Sequence, residues 1–86
     1  MNEKDVRAMF HASDMAIADL LEHALETGAE VARARYHGKE SRAVRLSQAF
    51  KAATNDVELL TAFADGYKAT YQDLENAAIV KARGDK

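Results

Sequence analysis

Residues 55–83 read NDVELLTAFADGYKATYQDLENAAIVKAR. Within them Val57, Leu60, Ala64, Tyr67, Tyr71, Leu74 and Ala78 succeed one another at steps of three and four without a break. That spacing predicts one long helix whose heptad seam packs along its length against other helices. Phe63 lies beside the seam and widens the apolar face. Asn55 with Glu58 predicts a capping-box pair, Asp56 adds negative charge to the first turn, and Lys81, Arg83 and then Gly84 mark the end. Gly66 falls off the seam and reads as the weak point inside the helix. At about 1.5 Å per residue such a helix is roughly 40 Å long, which is long for a chain of 86 residues.

Working back from this helix, a second apolar series runs Val6, Phe10, Ser13, Ile17, Leu20, Leu21, Ala24, Gly28, Val31. Its period is helical throughout and predicts one helix from about residue 3 to 36. Ser13 before Asp14 is a candidate N-cap that would break it, and Gly28 costs about 1 kcal/mol relative to alanine inside a helix. Both are small and lie on the seam, so each either breaks the helix or marks a point where another backbone comes close. His37-Gly38 ends the helix, with Gly38 in the left-handed position past its C-terminus. Lys39 to Ala53 then forms a short helix with Ala43, Leu46, Ala49, Phe50 and Ala53 on one face, and Thr54-Asn55 is the next turn. The expected fold is a single all-α domain over residues 1–86: a long-short-long three-helix bundle with coiled-coil-like seams, or four helices if the first breaks near Ser13.

Composition agrees with this class and removes several chemistries. Hydrophobic residues make up 48% and charged residues 30%, and there is no proline, so helix is favoured along nearly the whole chain. With no cysteine, disulfides, thiolate metal sites and cysteine nucleophiles are excluded. The start MNEKDVRAMF has no apolar signal segment and no run approaches a membrane span, so a cytoplasmic protein without membrane contact is expected. There is no glycine-rich phosphate loop, no nucleophile elbow and no inward-facing acid–base pair, so no catalytic residue and no cofactor is assigned, and the protein is not read as an enzyme. His23 has Asp19 and Glu26 within one turn, but the Glu-x-x-His pattern of carboxylate metal bundles is absent, and no metal is expected.

Charge is unevenly placed. Residues 1–30 hold seven acids and two bases, whereas residues 31–51 hold Arg33, Arg35, Lys39, Arg42, Arg45 and Lys51 against Glu40 alone. Arg35 and Arg42 sit close to the Gly38 turn, beside Tyr36 and His37, and with Arg45 they make a candidate site for an anion or a partner's carboxylate. The plainer account of the same residues is neutralisation: helix 1 carries the outward row Asp19, Glu22, Glu26 and Glu30, with Arg45 near the level of Glu30 and Lys51 near Glu26. Asp73 and Glu75 are further candidate partners for Arg35 and Arg42.

Laid out as a hairpin followed by a long return helix, the chain leaves two overhangs. Val6, Met9, Phe10, Ile17 and Leu20 are uncovered at one end, and Tyr71, Leu74 and Ala78 at the other. Apolar stripes of this size are buried somewhere. Either residues 3–12 fold back as a separate helix, or a second copy covers the overhangs in a two-fold dimer. Met15 points away from the first seam, a hint of a further contact surface. The expected function is protein–protein interaction, as a regulator, adaptor, chaperone or inhibitor acting as a homodimer or higher oligomer. The alternative is binding of nucleic acid or another anion through the basic segment 33–51.

Overall fold

The structure, a computed structural model, describes residues 2–11 and 16–84. Four helices account for nearly all of them: α1 Glu3–His11, α2 Ile17–Tyr36, α3 Glu40–Ala53 and α4 Val57–Gly84. The expectation of one helix from residue 3 to 36 is therefore corrected in favour of its alternative. Ser13, Asp14 and Met15, named above as a cap and as a contact surface, lie outside the described residues. Gly28 does not break α2, which runs through it.

The reason for the fold-back is visible in what α1 buries. Folded onto α3, it removes Val6 from solvent completely and sets the Phe10 ring edge-on against Phe50 at 4.9 Å. Leu20 is half-buried against the same core. Val6, Phe10 and Leu20 are thus not an open stripe awaiting a partner: the chain covers them itself. Of the first overhang only Ile17 remains largely exposed, at 51%. Asn2 starts α1 with a reciprocal cap. Its side-chain Oδ1 accepts from the Asp5 amide at 2.9 Å, and the Asp5 carboxylate accepts from the Asn2 amide at 3.2 Å.

α2 ends as expected. His37 is the C-cap and Gly38 follows at φ +79°. The Lys39 amide donates to Ala34 O at 2.7 Å and the Gly38 amide to Arg35 O at 3.1 Å, the two bonds of a Schellman motif. The cap of α4 differs from expectation. Asp56, not Asn55, accepts through Oδ1 from the Glu58 amide at 2.9 Å and the Leu59 amide at 3.4 Å, and Thr54 Oγ1 in turn accepts from the Asp56 amide. The helix begins one residue later than a cap at Asn55 requires. Asp56→Ala is expected to cost about 1 kcal/mol and Asn55→Ala close to nothing, a difference that urea unfolding midpoints resolve.

α4 lies along α2, and their contact is the most extensive between any two elements. It is made of small residues. A Cβ added to Gly28 would overlap the carbonyl oxygen of Phe63 and lie 2.9 Å from the Tyr67 amide nitrogen. One added to Gly66 would overlap the carbonyl oxygen of Leu25. Ala24, Thr27 and Ala62 are buried beside them, and the Thr27 hydroxyl is satisfied within its own helix by His23 O at 2.7 Å. Gly66 is therefore no weak point off the seam but one of two places where the backbones meet. The face of α4 buried in the chain is Leu59, Ala62, Phe63 and Gly66. The expected seam lies on the adjacent face: Leu60, Ala64, Tyr67, Tyr71 and Leu74 are half-buried, while Val57 and Ala78 are exposed.

α3 packs on α1 and α2 but makes only marginal backbone contact with α4. The two diverge from their shared turn at residues 54–56. Near that turn Phe50 and Phe63 bridge them, their rings stacked at 4.5 Å and 17°. With Phe10 on its other side, Phe50 is the centre of the core, joined by Leu46, Val31 and Val6. Beyond Leu74 the described residues provide no cover for α4: residues 75–84 are all exposed, including Ile79 and Val80.

Candidate functional site

The divergence of α3 and α4 opens a groove of about 510 Å³. Its floor is apolar: Val31 from α2 and Leu60, Phe63, Ala64 and Tyr67 from α4. Its rim is basic: Arg35, Lys51 and Lys68, with Ser47 the other polar residue and no acid in the lining. Arg35 is held in place. Its Nη1 donates to the Tyr67 hydroxyl at 2.9 Å, its Nε donates to Glu40 at 3.2 Å, and its guanidinium carbon lies 5.4 Å from the centre of the Tyr67 ring. The Tyr67 hydrogen bond, outweighing partial desolvation, pushes the Arg35 pKa above its ordinary value and keeps the group charged. Among the described residues neither Lys51 nor Lys68 has an acidic partner.

The aromatic floor continues past the groove. Tyr67 and Tyr71 stack at 5.8 Å, and Tyr36 meets Tyr71 edge-on at 5.8 Å and His37 at 5.3 Å. Tyr71 and Leu74 then lead onto the exposed C-terminal part of α4.

The anion site expected from Arg35, Arg42, Arg45, Tyr36 and His37 is not assembled as one site. Arg35 and Tyr36 turn toward α4. Arg42 and His37 line a separate cleft of about 460 Å³ with Glu30, Arg33 and Lys39. Arg45 belongs to a third, small concavity that it shares with Arg42, beside Asn2 and Glu3. The arginines also have acids of their own. Arg42 reaches Glu30 at 3.7 Å, Arg33 reaches Glu30 at 2.7 Å, and Arg45 reaches Glu3 at 3.5 Å. Two expected pairings change: Arg42 rather than Arg45 stands opposite Glu30, and Glu40 rather than Asp73 or Glu75 pairs with Arg35. The Schellman turn sets α3 so that its first turn, not its second, stands opposite Glu30.

Glu30 answers two guanidiniums. The hydrogen bond from Arg33, opposed by partial burial and helped by the charges of Arg33 and Arg42, holds its carboxyl below the ordinary carboxylate range. A depressed folded-state pKa contributes stability that is present above the unfolded value and lost as pH falls through the folded one. Wild type is therefore expected to lose more stability than Glu30→Gln between neutral pH and the acidic carboxylate range, in parallel melts.

His23 Nδ1 is a buried nitrogen without a hydrogen bond, and the Glu26 carboxylate lies 3.8 Å away, beyond hydrogen-bonding distance. Among the described residues no group of three or more histidines and carboxylates converges on a metal-holding arrangement, and no helix is long and apolar enough to cross a membrane. The groove was not foreseen from the sequence. Its signal was present in part in Lys51, which has no acid one turn away on its own helix, whereas Lys68 has Asp65 three residues before it and reads from sequence as paired. Comparison with family models, with curated proteins and with solved structures finds no match for this chain.

Proposed function

We propose that this chain is a helical protein–protein interaction module that works by docking another helix against α4. The observation that carries the reading is the double use of α4. One apolar stripe is spent on the chain's own core, while a second, coiled-coil-like stripe from Leu60 to Ala78 is only half covered and passes from the basic-rimmed groove onto the unsupported last ten residues. A helix of about 40 Å extending beyond its own bundle holds apolar side chains in water at a cost of about 25 cal/mol per Å² that a partner would recover. Regulator, adaptor and inhibitor roles all use a surface of this kind.

The test compares wild type with Leu74→Ser/Ala78→Asp, two changes on the uncovered part of the stripe. The variant is expected to keep its helical circular dichroism and lose association, whether with itself in sedimentation or with a protein retained from native lysate. Equal association by both proteins would overturn the reading.

A further inference from the structure

We infer that the occupant of the groove is the C-terminal half of α4 from a second copy of this chain, the two α4 helices running antiparallel across a two-fold axis. The inference rests on the docking reading above and names its partner.

The spacing of the stripe is the first ground. Leu60, Ala64 and Tyr67 lie in the groove, and Tyr71, Leu74 and Ala78 lie beyond it. The steps between these six read the same from either end, with the midpoint at Ala69. Antiparallel pairing about that point sets Leu60 opposite Ala78, Ala64 opposite Leu74 and Tyr67 opposite Tyr71, and repeats each pair by symmetry. A receiving groove and a projecting helix are the two halves of one element, so each copy supplies what the other lacks.

Charge is the second ground. The groove's rim is cationic with no acid, and Lys51 and Lys68 have no acidic partner among the described residues. The overhang opens with Asp73 and Glu75, which have no basic partner there either. The antiparallel alignment brings Asp73 to the level of Asp65 in the other copy, a like-charge meeting that Lys68 one turn away offsets, and Glu75 to the level of Phe63. Lys68 leans back toward that level, as helical side chains do, and Lys51 stands across the groove beside Phe50, which stacks on Phe63. At the ends of the pair, the acidic first turn with Asp56 and Glu58 meets the basic last turn with Lys81 and Arg83. An unrelated acidic helix of the same heptad spacing would satisfy the rim and the stripe alike, but it would not let two oppositely charged variants of this chain restore each other's association.

Two charge-reversal variants test this. Lys51→Glu/Lys68→Glu makes the groove acidic, and Asp73→Lys/Glu75→Lys makes the overhang basic. Each alone is expected to weaken self-association at least tenfold in analytical ultracentrifugation, with folding unchanged by circular dichroism. Mixed in equal amounts, the two should associate as wild type does and appear as the heterodimer in native mass spectrometry, because every groove then faces an overhang of opposite charge. The chain has no cysteine, which allows a second measurement that does not depend on charge. Ala64→Cys and Leu74→Cys should form a disulfide dimer when mixed and little when alone, whereas parallel helices would cross-link each variant with itself. A wild type that dimerises with no rescue on mixing and no mixed disulfide overturns the inference. A wild type that stays at the 9.5 kDa chain mass up to high micromolar concentration also overturns it. In that case retention of another protein through Leu74 and Ala78 leaves the docking reading standing, and retention of none removes both.

Discussion

Gly28→Ala is expected to lower the unfolding free energy by about 3 kcal/mol, although alanine is the better helix former by about 1 kcal/mol. The added methyl would overlap the carbonyl oxygen of Phe63 and crowd the Tyr67 amide. Both obstacles are backbone, so no rotamer change makes room, and α2 and α4 have to move apart along the most extensive contact in the molecule. Gly66→Ala meets the backbone of Leu25 in the same way. For a chain of this size such a loss corresponds to a fall in Tm of roughly 12–24 °C. Gly84→Ala is the control: nothing lies within 4 Å of a Cβ there, and the variant should melt no lower than wild type. If Gly28→Ala matches wild type in urea and heat, the two backbones do not meet where the structure puts them.

Phe50→Ala is expected to cost about 4 kcal/mol, a large share of the 5–15 kcal/mol typical of a folded domain. Phe50 is fully buried, stacked on Phe63 and met edge-on by Phe10. Its ring is the one large side chain that holds together α1, α3 and α4, so removing it loosens the fold-back and the groove at once. Aromatic pairs add about 0.5–1.5 kcal/mol beyond the area they bury. Leu60→Ala, half-buried at the groove floor, should lose no more than about 1–2 kcal/mol. The contrast between the two in thermal melts distinguishes this core from one centred on the heptad stripe.

That contrast also marks where sequence reading succeeded and where it stopped. Helical class, the turn at Gly38 and the length of the last helix were legible, because a left-handed glycine, a long three–four repeat and the absence of proline are local signals. The choice of buried face was not. The large residues Leu60, Tyr67, Tyr71 and Leu74 dominate a periodicity count, while Ala62 and Gly66 add almost nothing to it. Yet small residues let backbones approach, and closeness decides which face packs. Val6 and Phe10 were legible as apolar but not as covered, since covering them required α1 to pack on α3 as a helix of its own. The site was legible only in part: the basic segment stood out, but its arginines had acids within a turn, across the hairpin or on α1, and the unpaired lysines sit on two helices that the sequence alone does not bring together.

Of the twelve buried apolar residues described, six are alanines, and this carries a thermodynamic consequence. Heat capacity and denaturant slope grow with the apolar surface exposed on unfolding, and alanine exposes little. An ordinary chain of this length would show a heat-capacity change of about 1.0–1.3 kcal/mol/K, and this one should fall below it, with a correspondingly gentle urea slope. Its stability curve is then a low, broad dome: modest at its maximum, slow to decline on warming, and far from the cold-denaturing limb at any temperature at which water is liquid.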